Sequence, residues 1–294
     1  MGQHTWTAAM GLVEFVRHDS DARRLLERSI VVELGAGTGY CGLRLATELC
    51  CEPESSDAIR CLIQTDHIDH LVENIRQSQS DCLARLKDKC LVCRGGRSSP
   101  SSPCRRHDSA MFMAMKVDCY NPLDVEALCR RAADAAAAAA VAPAADAELP
   151  DAGNRSRLVV VCSDVTFDAA VVESVLCSVA QILANWECEH KEPGVCLLAH
   201  VDRDEESLRR IYRTCRQVSL DFLDRENNRS LLFVSSGDEH VDEDKGIQLL
   251  NECPELGHDD VTGGAIRLHV LRLYQPDELP RSGGNASSNS ETKK

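Results

Sequence analysis

The residues best placed to do chemistry are Glu33-Leu34-Gly35-Ala36-Gly37-Thr38-Gly39. An acid and three alternating glycines follow the apolar run Ile30-Val31-Val32. Glycine admits positive φ and lets a ligand approach the main chain, and the N–H groups at a helix start are free to face that ligand. Such a turn suits a nucleotide or a nucleoside. Gly37-x-Gly39-x-x-Gly42 also fits the dinucleotide fingerprint, which seats a pyrophosphate on the helix N-terminus. The acid favours a ligand without phosphates, because Glu33 would repel a diphosphate and could meet an amino group.

Three further acids stand where strands are expected to end: Asp66, Asp118 and Asp164. An acid after the second strand of such a fold is where ribose hydroxyls bind. A helix-capping role remains open for each of the three. Cys90-x-x-Cys93 and Cys104-x-x-His107 have metal-ligand spacing, but the Ser/Pro/Arg/Gly-rich residues between them resemble no zinc-knuckle core, and no metal is expected.

The elements that must position these groups read as alternating strands and helices. Strands are expected at 30–34, 59–65, 111–117, 158–162, 195–201, 231–234 and 265–274. Leu158-Val159-Val160-Val161-Cys162 is continuously apolar, as a central parallel strand is. Residues 265–274 alternate with period two, which predicts a half-buried antiparallel strand. The expected fold is α/β and Rossmann-like, with a mostly parallel seven-stranded sheet and an antiparallel last strand. One domain over 5–275 is expected, with flexible insertions at about 87–109, 132–156 and 236–262 and a disordered tail over 277–294. The Ala-rich stretch 132–147 forms helix readily but is expected to bury little.

The net charge of -14 disfavours nucleic acid and anionic membranes as partners and suits a basic protein. No apolar run approaches the roughly 20 residues of a membrane span. The sixteen cysteines read as reduced thiols, since no secretory signal is evident.

Trp6-x-Ala8-Ala9, then Val32 to Gly39, then Thr65-Asp66 with Asn74-Ile75, then Ser163-Asp164-Val165-Thr166-Phe167-Asp168 together resemble the seven-β-strand methyltransferase family 16. The likeness spans about residues 5–275. Within the family, Asp202 to Asn227 is most similar to the methyltransferase-like protein 22 group. The resemblance implies an S-adenosylmethionine-dependent protein-lysine N-methyltransferase. It assigns Trp6, Glu33, Gly35, Ala36, Gly37, Asp66, Asp118 and Ser163 to the cofactor, and Asp164 and Phe167 to the substrate lysine. It also implies a monomer in the cytoplasm or nucleus. Cys119 stands where the family usually has Trp, and Phe167 lacks the hydroxyl of a Tyr. A catalytically inactive binding protein of the same fold and a small-molecule or RNA methyltransferase remain alternatives.

Overall fold

The structure is a computed structural model. It describes residues 7–50, 59–89, 111–141, 156–166, 168–203, 209, 211, 213–214, 230–234, 255–258 and 264–274. Trp6, Phe167, the Cys90–His107 spacing, the tail 277–294 and most of the three expected insertions lie outside these residues.

Strand β1 (Ser29–Leu34) is buried along its whole length, as its β-branched run requires. It pairs in parallel with β2 (Cys61–Asp66) on one side and β4 (Arg157–Ser163) on the other. Strand β3 (Met111–Lys116) extends the sheet beyond β2, and β5 (Val195–Asp202) extends it beyond β4, both parallel. Strand β8 (Ala265–Tyr274) runs antiparallel to β5, and β6 (Ser230–Val234) runs antiparallel to β8. The order is β3-β2-β1-β4-β5-β8-β6, a Rossmann-like α/β sheet with a reversed last strand.

Short β7 (Glu255–His258) also pairs with β8, so the sheet has eight strands among the described residues rather than seven. Glu-Leu-Gly-His is too short to show a period of two, and the sequence alone made it part of a loop. Strand β8 also differs from expectation. His269 is fully buried beside Leu271 on one face, while Ile266 and Leu268 are buried on the other. Helices pack against β8 from both sides of the sheet, so both of its faces are covered despite its alternation.

Helices α1 (Thr7–His18), α2 (Ser20–Leu26) and α3 (Tyr40–Cys50) bury their apolar stripes on one face of the sheet. Helix α4 (Asp69–Lys89) packs beside α3 over β2 and β3. Helices α5 (Pro122–Val141) and α6 (Ala169–His190) cover the other face. Ala132, Ala135 and Ala136 of α5 are buried in that core. The alanine tract was expected to bury little; its small side chains instead let α5 pack against α6. No helix among the described residues is long and apolar enough to cross a membrane.

Candidate active site at the carboxyl edge of the sheet

Strand order reverses between β1 and β4, whose crossovers lie on opposite faces. Ligands of open α/β sheets bind at the carboxyl ends of strands at such a switch point. The glycine turn ends β1, Asp66 ends β2, Asp118 follows β3, and Ser163-Asp164 end β4. The fold therefore gathers the described site residues expected from the sequence along one edge.

Gly35, Gly37 and Gly39 all have positive φ, at 64°, 55° and 76°. Three consecutive residues of β2 hold the turn they form. The Ala36 N–H donates to the Thr65 carbonyl (2.8 Å) and the Gly37 N–H to Asp66 Oδ2 (3.0 Å). Gln64 Nε2 donates to the Gly39 carbonyl (2.9 Å). The N–H groups of Ala36 and Gly37 are therefore engaged within the fold. The positive φ values rotate the peptide groups of Ala36 and Gly37 toward β2. The Gly42 N–H at the start of α3 is also engaged, by Glu33 Oε2 at 3.1 Å.

Glu33 lies beneath the turn, only 1% exposed. Its Oε2 accepts from Gly42 and from Gln64 Nε2 (2.6 Å), while Oε1 has no hydrogen-bond partner. Burial raises its pKa from an ordinary 4.5 to about 7, against the hydrogen bonds from Gln64 and Gly42 that lower it; the nearby Asp66 charge raises it further. The carboxylate thus underpins the turn rather than lining an open cleft.

Asp66 is 5% exposed. Its Oδ1 accepts the Ile68 N–H (3.0 Å), an Asx turn leading into α4. Asp118 makes the same kind of turn, accepting the Tyr120 N–H at 2.9 Å. The N-terminus of α5 is served by Asn121, which accepts from Leu123 at 3.2 Å. Tyr120 is exposed, and its hydroxyl donates to the Ala170 carbonyl at the start of α6 (2.7 Å).

Ser163 ends β4 nearly buried, and Asp164 follows with φ 53°. The side chain of Asp164 is fully buried and pairs with both Nη atoms of Arg203, just after β5. Its N–H donates to the Ala199 carbonyl (2.8 Å). Two residues on, Thr166 Oγ1 lies 2.8 Å from His200 Nδ1 on β5. The residue that caps α6 is Asp168, which accepts from Ala170, so capping is not the role of Asp164. Val165 packs against Gly35 so closely that a Cβ there would lie 2.6 Å from its Cγ1. At Gly35, then, a side chain rather than a ligand occupies the space next to the main chain.

Sequence reading missed Arg203, His200 and Tyr120, and also the buried amides Gln64 and Gln79. The last two carried a signal: each interrupts an otherwise apolar buried stripe. Burial pushes the Cys119 thiol up to about 11, and the Cys41 and Cys162 thiols also stand above their ordinary range. These cysteines are poor nucleophiles at neutral pH. Among the described residues no group of three or more His, Cys, Asp or Glu could hold a metal.

The sheet order and the glycine turn at its switch point define a Rossmann-like α/β fold with an antiparallel strand added beside β5. Residues 1–89 match the family model described as lysine methyltransferase, methyltransferase family 16, so the resemblance seen in the motifs stands over that stretch. No curated protein sequence matches the chain.

Among solved structures, precorrin-6y C5,15-methyltransferase from Geobacter metallireducens GS-15 aligns with 11% identity. The alignment covers 91% of this chain and 87% of that one, with a TM-score of 0.35. Magnesium protoporphyrin IX methyltransferase from Synechocystis PCC 6803, crystallised with SAH, aligns with 10% identity. It covers 90% of this chain and 82% of that one, with a TM-score of 0.39.

Proposed function

We propose that this chain is an S-adenosylmethionine-dependent methyltransferase acting on lysine side chains of a protein. The observation that carries the cofactor reading is the pair of buried carboxylates, Glu33 and Asp66, on either side of the glycine turn. Together with the engaged N–H groups of Ala36, Gly37 and Gly42, they make the turn hostile to a diphosphate. They suit a nucleoside that brings hydroxyls and an ammonium group. Each oxygen of Asp66 takes one backbone N–H and keeps acceptor capacity for ribose hydroxyls. Glu33 Oε1, beneath the turn, has no hydrogen-bond partner. Asp118, Ser163 and Trp6 complete the proposed cofactor set.

When bound, S-adenosylmethionine supplies an electrophilic sulfonium methyl group. The chain's part is to bind and orient a lysine amine that has lost its proton. Desolvation lowers an amine pKa, and orientation removes much of the entropic barrier. Asp164 and Phe167 are the proposed lysine-side residues. Lysine as the acceptor is supported by the family matched over residues 1–89 and by the acidic charge of the chain, which suits a basic protein partner. A monomer in the cytoplasm or nucleus, and the subgroup suggested by residues 202–227, belong to the same proposal. The pairing of Asp164 with Arg203 favours one second reading, a fold that binds the cofactor without turnover.

Calorimetry with S-adenosylhomocysteine, followed by transfer of a labelled methyl group to a cell extract, tests both steps. Gly37→Val should abolish binding, because φ 55° strains a β-branched residue and the Gly37 N–H would leave Asp66. Absence of binding to the wild type refutes the cofactor reading. Binding with no labelled protein favours the reading without turnover.

A further inference from the structure

A chain of buried amides runs from the glycine turn through β2 to the sheet-facing side of α4. Gln64 Nε2 donates to Glu33 Oε2 (2.6 Å) and to the Gly39 carbonyl (2.9 Å). Gln64 Oε1 accepts from Gln79 Nε2 (3.1 Å), which also donates to the Met113 carbonyl of β3 (2.9 Å). Both glutamines are buried, at 0% and 5% exposure. Gln79 occupies a place on the stripe Leu71, Val72, Ile75 and Leu86 of α4, where an apolar residue would pack without needing partners. The orientation of the amides follows from their partners. The Gly39 and Met113 carbonyls can only accept, so both must face an NH2 group. That leaves Gln64 Oε1 to receive the second hydrogen of Gln79.

We infer that Gln64 and Gln79 are positioning residues for the nucleoside cofactor, Gln64 fixing the Gly39 end of the turn and Gln79 fixing the amide of Gln64. Three features support a role directed at the turn. Gln64 touches the turn at two places, its last glycine and the acid beneath it. The Thr65 carbonyl and the Asp66 carboxylate hold the other end of the turn, at Ala36 and Gly37, so Gln64 is the side chain of β2 that holds Gly39. The space is closed as well: a Cβ at Gly42 would lie 2.5 Å from Glu33 Oε2 and 3.1 Å from Gln64 Nε2, leaving the network no room to shift. The inference rests on the cofactor reading above and adds the residues that hold its binding turn in shape.

The test uses the full chain and S-adenosylhomocysteine as the probe. Gln64→Met/Gln79→Met removes both partners of the amide–amide bond, which by itself can be nearly neutral, while Glu33 Oε2 keeps the Gly42 N–H and the Gly39 carbonyl keeps the Leu43 N–H. The double variant should melt within a few degrees of the wild type yet bind the probe about tenfold or more weakly, the order of loss when groups that orient ligand-binding atoms are removed. Gln79→Met alone should fall between the two, since Gln64 keeps its own contacts with the turn. The double variant should bind no more weakly than Gln64→Met alone, because Gln79 acts through Gln64. An affinity within twofold of wild type in the folded double variant overturns the inference. If the double variant does not fold, Gln79→Met decides, and unchanged affinity there overturns it equally. Failure of the wild type to bind would instead strike the cofactor reading itself.

Discussion

Glu33 offers a sharp test of the electrostatics beneath the turn. Its carboxyl has a pKa of about 7 in the fold against an ordinary 4.5. The folded chain therefore holds a proton that the unfolded chain releases between these values. The contribution of Glu33 to stability is greatest below about pH 4.5 and is lost as pH rises through 7. At 1.36 kcal/mol per pH unit, the full cost above pH 7 is about 3 kcal/mol, while at pH 5 it is below about 1 kcal/mol. Glu33→Gln keeps an oxygen for Gly42 and Gln64 and puts an NH2 group where Oε1 stands. It removes the ionisation cost and gives back about 1 kcal/mol, because bonds to a charged acceptor are the stronger ones. The variant should gain about 2 kcal/mol at pH 8, or roughly 4–8 °C in Tm for a chain of this size. At pH 5 it should gain almost nothing. Thermal unfolding of both proteins at the two pH values measures the difference directly. The same gain at pH 5 and pH 8, or a loss at pH 8, would refute the argument that burial of an ionisable acid sets this cost.

Two further outcomes concern the far side of the site. Asp164→Asn removes the charge that meets Arg203 across a fully buried contact. It should cost about 2 kcal/mol in denaturant unfolding and leave S-adenosylhomocysteine affinity within a few-fold. Methylation per folded molecule should fall about a hundredfold; near-normal methylation would leave Asp164 as a clamp alone. His269 has a pKa lowered to about 3, first by burial and then by the charges of His200 and Arg267. The unfolded chain takes up that proton first, so stability is lost as pH falls from 6.5 toward 3. His269→Leu should flatten this acid limb in pH-dependent melting, and an unchanged limb would point to other groups.

Much of the site was legible because its signals are local. Ile30-Val31-Val32 followed by alternating glycines can hardly be other than a strand and a turn, and acids at strand ends fall on one edge in any parallel sheet. The reversed strand β8 was visible from its alternation. What escaped depends on distant partners. Arg203 stands 39 residues from Asp164 and gains meaning only when β5 lies beside β4. Gln64 and Gln79 broke apolar patterns, but their purpose appears only where α4 crosses β2 and β3. The spacing marked Glu33 as a ligand residue but did not show that Gly42 and Gln64 hold one of its oxygens beneath the turn. The buried alanines of α5 were undervalued because composition reports propensity rather than what a helix packs against.

The contact between Gly35 and Val165 places unequal restrictions on its two members. Any side chain at 35 collides with Val165, and trimming Val165→Ala would clear that collision. The turn would still demand φ 64° at position 35, which an L-residue with a Cβ adopts only under strain. A change at 165 can therefore be accepted by itself, whereas a change at 35 needs a partner change at 165 and remains strained afterwards. Drift in this corner of the molecule has a direction: position 165 is free to shrink, and position 35 has almost nowhere to go.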